Sequence, residues 1–338
     1  MTTKIFLVRH AEAEGNLFRV AHGQYDSNLT PRGYRQLHYL RERFRGEKLD
    51  AVYGSDLTRT HATASALYVP RGLDFRPEPR LREVRLGDWE ERTWAEISRA
   101  DRRMYEDFNK RPHLWRVEGA ETFAQVRDRM VAAVRDIAAA HPGGTVAAAS
   151  HGAALRTLLG TLEGMTLEEI GGSGHSDNTA VSLLEVEGER IQVVFRDDNS
   201  HVPAEASTFR NESWFKEVPA AEEPGLWFPA PRQEGDAQVL DGMLGEVQAG
   251  RVAWMVGEST LSLTDFTILP NLRGRHLGVQ LLGQAVKYAR RQGRYALTLA
   301  CSAELAGYFA QYGFEETGRR GDAVDMAMDL RLTVREVP

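Results

Sequence analysis

The chain opens on four consecutive apolar residues, Ile5-Phe6-Leu7-Val8. An unbroken apolar run of strand length is the pattern of a strand covered on both faces, as in a parallel sheet. Two further runs, Leu49-Asp50-Ala51-Val52-Tyr53 and Thr145-Val146-Ala147-Ala148-Ala149, also read as strands. Between them the period lengthens to that of helices. Thr30-Pro31 combines an N-cap residue with proline at the first helical position, and Gly46 closes the helix. From Glu121 to Ala140, residues Phe123, Val126, Met130, Val134 and Ile137 recur on one helical face before the breaker His141-Pro142-Gly143-Gly144. Asn178 to Val186 and Arg190 to Phe195 read as a hairpin. Strands alternating with helices predict an α/β domain built on a mostly parallel sheet.

The pattern then changes. Asn211 to Gly235 is rich in proline, glycine and glutamate, yet it carries Trp214, Trp227 and Phe228. Those aromatics predict a connector partly packed on its neighbours, since a solvated linker does not need them. Beyond it, Arg251 to Glu258 and Leu261 to Leu269 read as paired strands. A bend at Pro270-Asn271-Leu272-Arg273-Gly274 leads into a helix from about Leu277 to Arg291, closed by Gly293. Leu277, Leu281, Leu282, Ala285, Val286 and Ala289 form its buried face. A strand over Tyr295–Cys301 and a helix over Ala303–Gln311 follow. The expected division is a larger α/β domain over 1–210, a connector over 211–235 and a smaller α+β domain over 236–338, in line with about two domains for 338 residues.

Chemistry collects at the strand ends. The first run stops at Arg9-His10, the second at Gly54-Ser55-Asp56 before Leu57-Thr58-Arg59, the third at Ser150-His151-Gly152. Carboxyl ends of parallel strands share one edge, where ligands of open α/β sheets bind, so Arg9, His10, Arg59 and His151 can converge. Two guanidinium groups suit an anion with several oxygens, above all a phosphate.

These motifs, with Asn16, with Leu81-Arg82-Glu83 and with Gly87-Asp88-Trp89-Glu90, resemble the histidine phosphatase superfamily, the phosphoglycerate-mutase-like fold. They stand in the family's order across roughly the first three-fifths of the chain. The resemblance implies a three-layer domain and phosphoryl transfer through a phosphohistidine on His10. It makes Glu83 the proton donor to the leaving oxygen, and Arg9, Asn16, Gly23, Arg59 and His151 the phosphate-binding residues. It implies no metal and no cofactor for this reaction. The stretch Glu12-Ala13-Glu14-Gly15-Asn16 resembles the phosphatase branch and lacks the tryptophan-rich pattern of the mutases; a phosphoglycerate-mutase-type isomerase stays the alternative. Because Glu83 sits among Arg80, Arg82, Arg85 and Asp88, the alternative to a site role is a salt-bridged surface carboxylate. His22, His38, His61, His175 and His201 receive no role, and Glu90 to Trp115 reads as an insertion over the site.

In the last third, Phe266-Thr267-Ile268-Leu269-Pro270, Arg273-Gly274-Arg275-His276-Leu277-Gly278 and Tyr308-Phe309-Ala310-Gln311-Tyr312-Gly313-Phe314 resemble the GNAT-type N-acetyltransferases. The resemblance implies an acetyl-CoA site whose pyrophosphate rests on Leu269, Arg273, Gly274, Arg275, His276, Leu277 and Gly278 at a helix N-terminus. Two positions depart from that family. His276 replaces a glycine of the turn, and Phe309 replaces a proton-donating tyrosine, with Tyr308 expected to point elsewhere. A non-catalytic coenzyme-binding or scaffold module is therefore the rival to a second enzyme.

Bulk properties narrow the partners. A net charge of −6 argues against a general nucleic-acid binder. Cys301 is the single cysteine, so no intrachain disulfide forms and a reducing, cytoplasmic setting is expected. No apolar run is long enough to span a bilayer. A small phosphorylated substrate and acetyl-CoA are the expected partners; a homodimer is compatible with the sequence.

Overall fold

The computed structural model describes residues 1–211 and 224–336. The connector's residues 212–223, including Trp214, lie outside the described residues. The first part runs β1 (Thr3–Arg9), α1 (Glu14–Phe18), α2 (Pro31–Arg43), β2 (Ala51–Gly54), α3 (Thr58–Tyr68), β3 (Phe75–Pro77), α4 (Trp94–Ala100), α5 (Arg102–Lys110), α6 (Phe123–Ala140), β4 (Thr145–Ser150), α7 (Gly152–Leu162), α8 (Leu167–Ile170), β5 (Val181–Glu187), β6 (Arg190–Asp198) and α9 (Thr208–Asn211). Six of these strands form one sheet in the order β3-β2-β4-β1-β5-β6. The β3–β2, β2–β4 and β4–β1 pairs are parallel, whereas β5 and β6 add an antiparallel hairpin.

Alternation along β1 separates two cores. Ile5 and Leu7 face α6 and α7, packing with Val126, Met130, Leu155 and Leu158. Phe6 and Val8 face α2 and α3, packing with Leu37, Leu40, Ala62 and Leu67. Helices thus cover both sheet faces in three layers, and this is why β1 reads as an unbroken apolar run. Thr30 caps α2 by accepting from the Gly33 N–H, and Thr122 caps α6 through a capping box with Gln125. The Glu90 to Trp115 insertion contains α4 and α5. Trp89, Trp94, Phe108, Trp115 and Phe123 form its aromatic cluster.

The second part contains β7 (Arg232–Glu234), β8 (Ala237–Leu244), β9 (Val247–Val256), β10 (Thr260–Ile268), α10 (Leu277–Arg291), β11 (Ala296–Ser302), α11 (Ala303–Ala310), β12 (Glu315–Arg320) and β13 (Ala323–Asp329). Its seven-stranded sheet has the order β12-β13-β11-β10-β9-β8-β7, antiparallel except for β10–β11. The sequence patterns anticipate β9, β10 and α10 closely but not β7, β8, β12 or β13, and β7 falls inside the expected connector. Arg232-Gln233-Glu234 is exposed at the sheet edge and carries no apolar alternation to mark it. All six residues expected on the buried face of α10 are buried.

The two parts pack against each other. Phe18, on α1 of the first part, is buried in the core of the second. Among the described residues no helix is long and apolar enough to cross a membrane.

Candidate functional site

Register places the three strand ends side by side. Arg9 lies opposite Ser150, and Gly54 opposite Ala149, so His10, Ser55 and His151 leave the sheet at one edge. Next to that edge is a cavity of about 280 Å³, lined among others by Arg9, His10, Asn16, Gly23, Arg59 and Glu83.

Each side chain is held by specific partners. The His10 Nδ1 lies 2.8 Å from the carbonyl oxygen of Ala11. A carbonyl only accepts, so Nδ1 carries the proton and Nε2 keeps its lone pair. Burial, then Arg59 and Arg9, hold the His10 pKa well below the usual imidazole value. The ring is neutral at pH 7, the state a nucleophile requires. Asn178 fixes the backbone here by donating from Nδ2 to the His10 carbonyl oxygen at 2.8 Å.

Arg9 donates to the Ser176 carbonyl and lies over the Phe209 ring, with its Cζ 5.4 Å from the centroid. Gly152 leaves room for it: a Cβ there would sit 3.3 Å from Arg9 Nε. Arg59 is almost fully buried, and its guanidinium donates to the carbonyl oxygens of Gly23 (2.7 Å) and Tyr25 (3.0 Å). Burial lowers its pKa to about 10, so it stays charged at neutral pH. Gly23 has φ +53, and a Cβ there would meet Glu90 Oε1 at 2.4 Å, so glycine is needed at this lip of the cavity. Asn16 Oδ1 accepts the Ala13 N–H at 3.0 Å, leaving its Nδ2 to donate.

His151 does not line the cavity. It is buried with its ring centroid 5.1 Å from that of His10. Arg59 Nε donates to its Nδ1 at 3.3 Å, so its proton sits on Nε2, which donates to Ser55 Oγ at 2.8 Å. Burial, with Arg59 and His10 nearby, keeps its pKa well below the usual value.

Glu83 is half-buried and, among the described residues, makes no ion pair. Its carboxylate instead accepts the N–H groups of Val84 (2.9 Å), Ala153 (3.1 Å) and Ala154 (2.9 Å), the last two in the first turn of α7. A helix N-terminus is a stable seat for a carboxylate. This replaces the surface ion pair that the charged stretch around Glu83 suggests when read alone.

Other contributors carry little sequence signal. Arg129 donates to the carbonyl oxygens of Arg80, Arg82 and Glu83, fixing the turn that presents Glu83. Asp26 accepts the Thr58 N–H and hydroxyl at the start of α3, the helix that carries Arg59. His22 and His175, given no role on sequence grounds, both line the cavity. Burial, then Arg59 and Arg290, hold the His22 pKa well below the usual value. Arg19, Trp94, Tyr105, Phe108 and Phe209 complete a partly aromatic wall.

The family model of the histidine phosphatase superfamily (branch 1) matches residues 5–199. The chain belongs to the histidine phosphatase superfamily. A phosphoserine phosphatase 1 from Hydrogenobacter thermophilus is 30% identical over 193 residues, covering 57% of this chain and 90% of that protein. A Yersinia enterocolitica protein named probable phosphoglycerate mutase GpmB is 34% identical over 162 residues, covering 48% of this chain and 75% of its own length. The solved structure of Bacillus stearothermophilus YhfR is similar, with TM-score 0.57 and 33% identity over 59% of this chain and 98% of that one. A mycobacterial glucosyl-3-phosphoglycerate phosphatase shares the fold at 23% identity and TM-score 0.55, covering 59% of this chain and all of its own. Residues 199–314 match the acetyltransferase (GNAT) family. A histidine phosphatase superfamily region is thus joined to a GNAT region.

In that region β10 and β11 pair in parallel only over Thr260–Ser262 with Ala296–Thr298 and then part, next to a bulge between Leu263 and Asp265. The turn into α10 is exposed from Arg273 to His276, with Gly274 at φ +78 and His276 at φ +54. His276 occupies the N-cap position and makes no capping side-chain hydrogen bond. Leu277 and Gly278 are buried, and Leu269 is exposed beside the turn.

One expectation for this region is corrected. Tyr308 does not point elsewhere: its hydroxyl lies over the first turn of α10, 2.5 Å from where a Gly278 Cβ would be. The cause is helical geometry. Phe309 is pulled into the core against Phe266 and Phe314, and one residue is about 100° of helix rotation. A side chain at Gly278 would meet the Tyr308 hydroxyl, so it would disturb this packing and not ligand binding alone.

Proposed function

We propose that this protein hydrolyses a small phosphorylated metabolite through a phosphohistidine on His10. The carrying observation is the His10 ring: neutral, with Nδ1 committed to the Ala11 carbonyl, and flanked by Arg9 and Arg59 at one sheet edge.

In the first step the His10 Nε2 lone pair forms a bond to phosphorus while the bond from phosphorus to the leaving oxygen breaks. Arg9 and Arg59 stabilise the non-bridging oxygens, with Asn16 Nδ2 as a neutral donor, and catalysis is mostly charge stabilisation and positioning. His151 backs the site from behind His10, its Nδ1 accepting from Arg59 and its Nε2 donating to Ser55. Glu83 takes up the proton of the monoanionic ester and passes it to the leaving oxygen. It then takes a proton from the water whose oxygen attacks phosphorus, freeing His10 and releasing inorganic phosphate. The aromatic wall supplied by α4 and α5 selects the remainder of the substrate.

The test is product analysis on a panel of phosphate monoesters that includes 3-phosphoglycerate. Inorganic phosphate is the expected product. Migration of phosphate within phosphoglycerate, with none released, would decide for the isomerase instead.

For the second region we propose coenzyme A binding at Arg273 to Gly278, beside Leu269, within a domain spanning about 236–338. Support comes from an exposed turn without a side-chain cap and from two nearby arginines. The bound coenzyme would supply an activated acyl group. Phe309 has no proton to donate, so the hydroxyl nearest the turn is that of Tyr308. Calorimetry on the whole protein should show acetyl-CoA binding, weakened about tenfold or more when Arg273 and Arg275 are both replaced by alanine. No heat at millimolar ligand would reduce this region to a scaffold.

A further inference from the structure

The segment that follows the nucleophile is weakly self-supporting. Helix α1 has five residues, too few to be stable unaided, and ends at Arg19 in the left-handed region (φ +57). It nevertheless presents Gly15 and Asn16 to the phosphate cavity. Its position must be set from outside.

The outside support is α10 of the GNAT region. Arg290 makes a two-pronged contact with Glu14, the first residue of α1, at 2.6 Å and 2.9 Å. Both side chains are mostly buried, at 15% and 11% exposure. Arg290 Nε also donates to the Leu330 carbonyl at 3.1 Å, and its guanidinium hydrogen-bonds Tyr25. Two turns earlier on α10, Gly283 lets the α1 residue Phe18 approach so closely that a Cβ there would sit 2.4 Å from Phe18 Cβ.

A second grip lies beside it. Lys287 donates to the Glu91 carbonyl at 2.8 Å, and Arg291 pairs with the Glu91 carboxylate at 2.9 Å. Glu91 and Arg92 in turn exchange backbone hydrogen bonds with Ala21 at 2.9 Å and 2.8 Å, next to His22 and Gly23. His22 lines the phosphate cavity on one side. On the other it lines a small cavity of about 20 Å³ shared with Glu14, Tyr25, Lys287 and Arg290. The wall between α10 and the phosphate site is therefore about one side chain thick.

We propose that Arg290 is a positioning residue for the phosphatase reaction, holding Glu14 and through it the helix that presents Asn16 to the phosphoryl group. This rests on the phosphatase reading of the His10 site. It makes the GNAT region a structural part of that site. The two-pronged geometry matters because a fork on a carboxylate fixes direction as well as distance. A displacement of about 1 Å at a phosphate donor is enough to cost roughly a hundredfold in rate.

The test uses the full-length protein with an aryl phosphate substrate and vanadate as inhibitor. Arg290→Ala, Arg290→Lys, Glu14→Ala, the double alanine variant, His10→Ala and Glu246→Ala are compared, with rates normalised to folded protein. Glu246 serves as control because its pair with Arg99 also joins the two parts but is exposed and lies on α4. Arg290→Ala and Glu14→Ala should each lower kcat/KM by about tenfold to a hundredfold and weaken vanadate inhibition in parallel. The double variant should be no worse than either single one, Arg290→Lys should recover part of the loss, and Glu246→Ala should match the parent. The inference is overturned if Arg290→Ala and Glu14→Ala keep parental kcat/KM while His10→Ala is dead. It is also overturned if the two losses multiply. Turnover that persists in His10→Ala would overturn the phosphatase reading, and the inference with it.

Discussion

His10→Ala should lower phosphatase turnover by on the order of ten-thousandfold or more, the scale of removing a covalent nucleophile. His22 and His175 also line the cavity, but neither sits at the carboxyl end of a sheet strand as His10 does. His151 lies behind His10 with both ring nitrogens engaged by Ser55 and Arg59, and it is not among the lining residues. The fold should survive. The substitution removes a ring whose one hydrogen bond is to the adjacent Ala11, while the Asn178 contact to the His10 backbone remains available. Circular dichroism and thermal melting would establish that the protein is folded. Turnover within tenfold of the parent would rule His10 out as the nucleophile.

Glu83→Gln should separate substrates by their leaving groups. An alkoxide is a strong base and needs a proton as the bond breaks, whereas a nitrophenolate leaves without one. Alkyl phosphate hydrolysis should therefore fall by about a hundredfold to ten-thousandfold, and p-nitrophenyl phosphate hydrolysis far less. The glutamine keeps the shape, and its oxygen can still accept from the first turn of α7, where Ala153 and Ala154 now donate to Glu83. An equal loss on both substrates would mean that the side chain only anchors α7.

The phosphatase half was legible because its elements are locally encoded. Parallel strands buried on both faces leave unbroken apolar runs, and Arg9, His10, Arg59 and His151 each lie within a few positions of such a run, whereas Glu83 is marked only by its motif. What supports those residues was not legible. Arg129 reaches back from α6 to carbonyls of residues 80, 82 and 83, and Ser55 meets His151 across 96 positions of sequence. His22 received no role because nothing nearby in the sequence marks it as facing a cavity. Tyr308 was misplaced because the rotation of α11 is set by which aromatic enters the core, and adjacent aromatics at 308 and 309 do not by themselves fix that rotation. The contact between the two parts left no trace at all. Glu14 and Arg290 are 276 residues apart, and Phe18 belongs by packing to a core formed by the other part of the chain.

The measurement that bears most directly on the central claim is capture of the phosphoenzyme. The protein would be mixed with labelled phosphate ester, denatured within milliseconds in alkali, where phosphohistidine survives and acyl phosphates do not, and digested for peptide mapping. The account predicts label on the peptide that contains His10, stable in base, released by acid, and missing from His10→Ala. Steady release of phosphate with no labelled peptide at any quench time, or label on a residue other than His10, would contradict it.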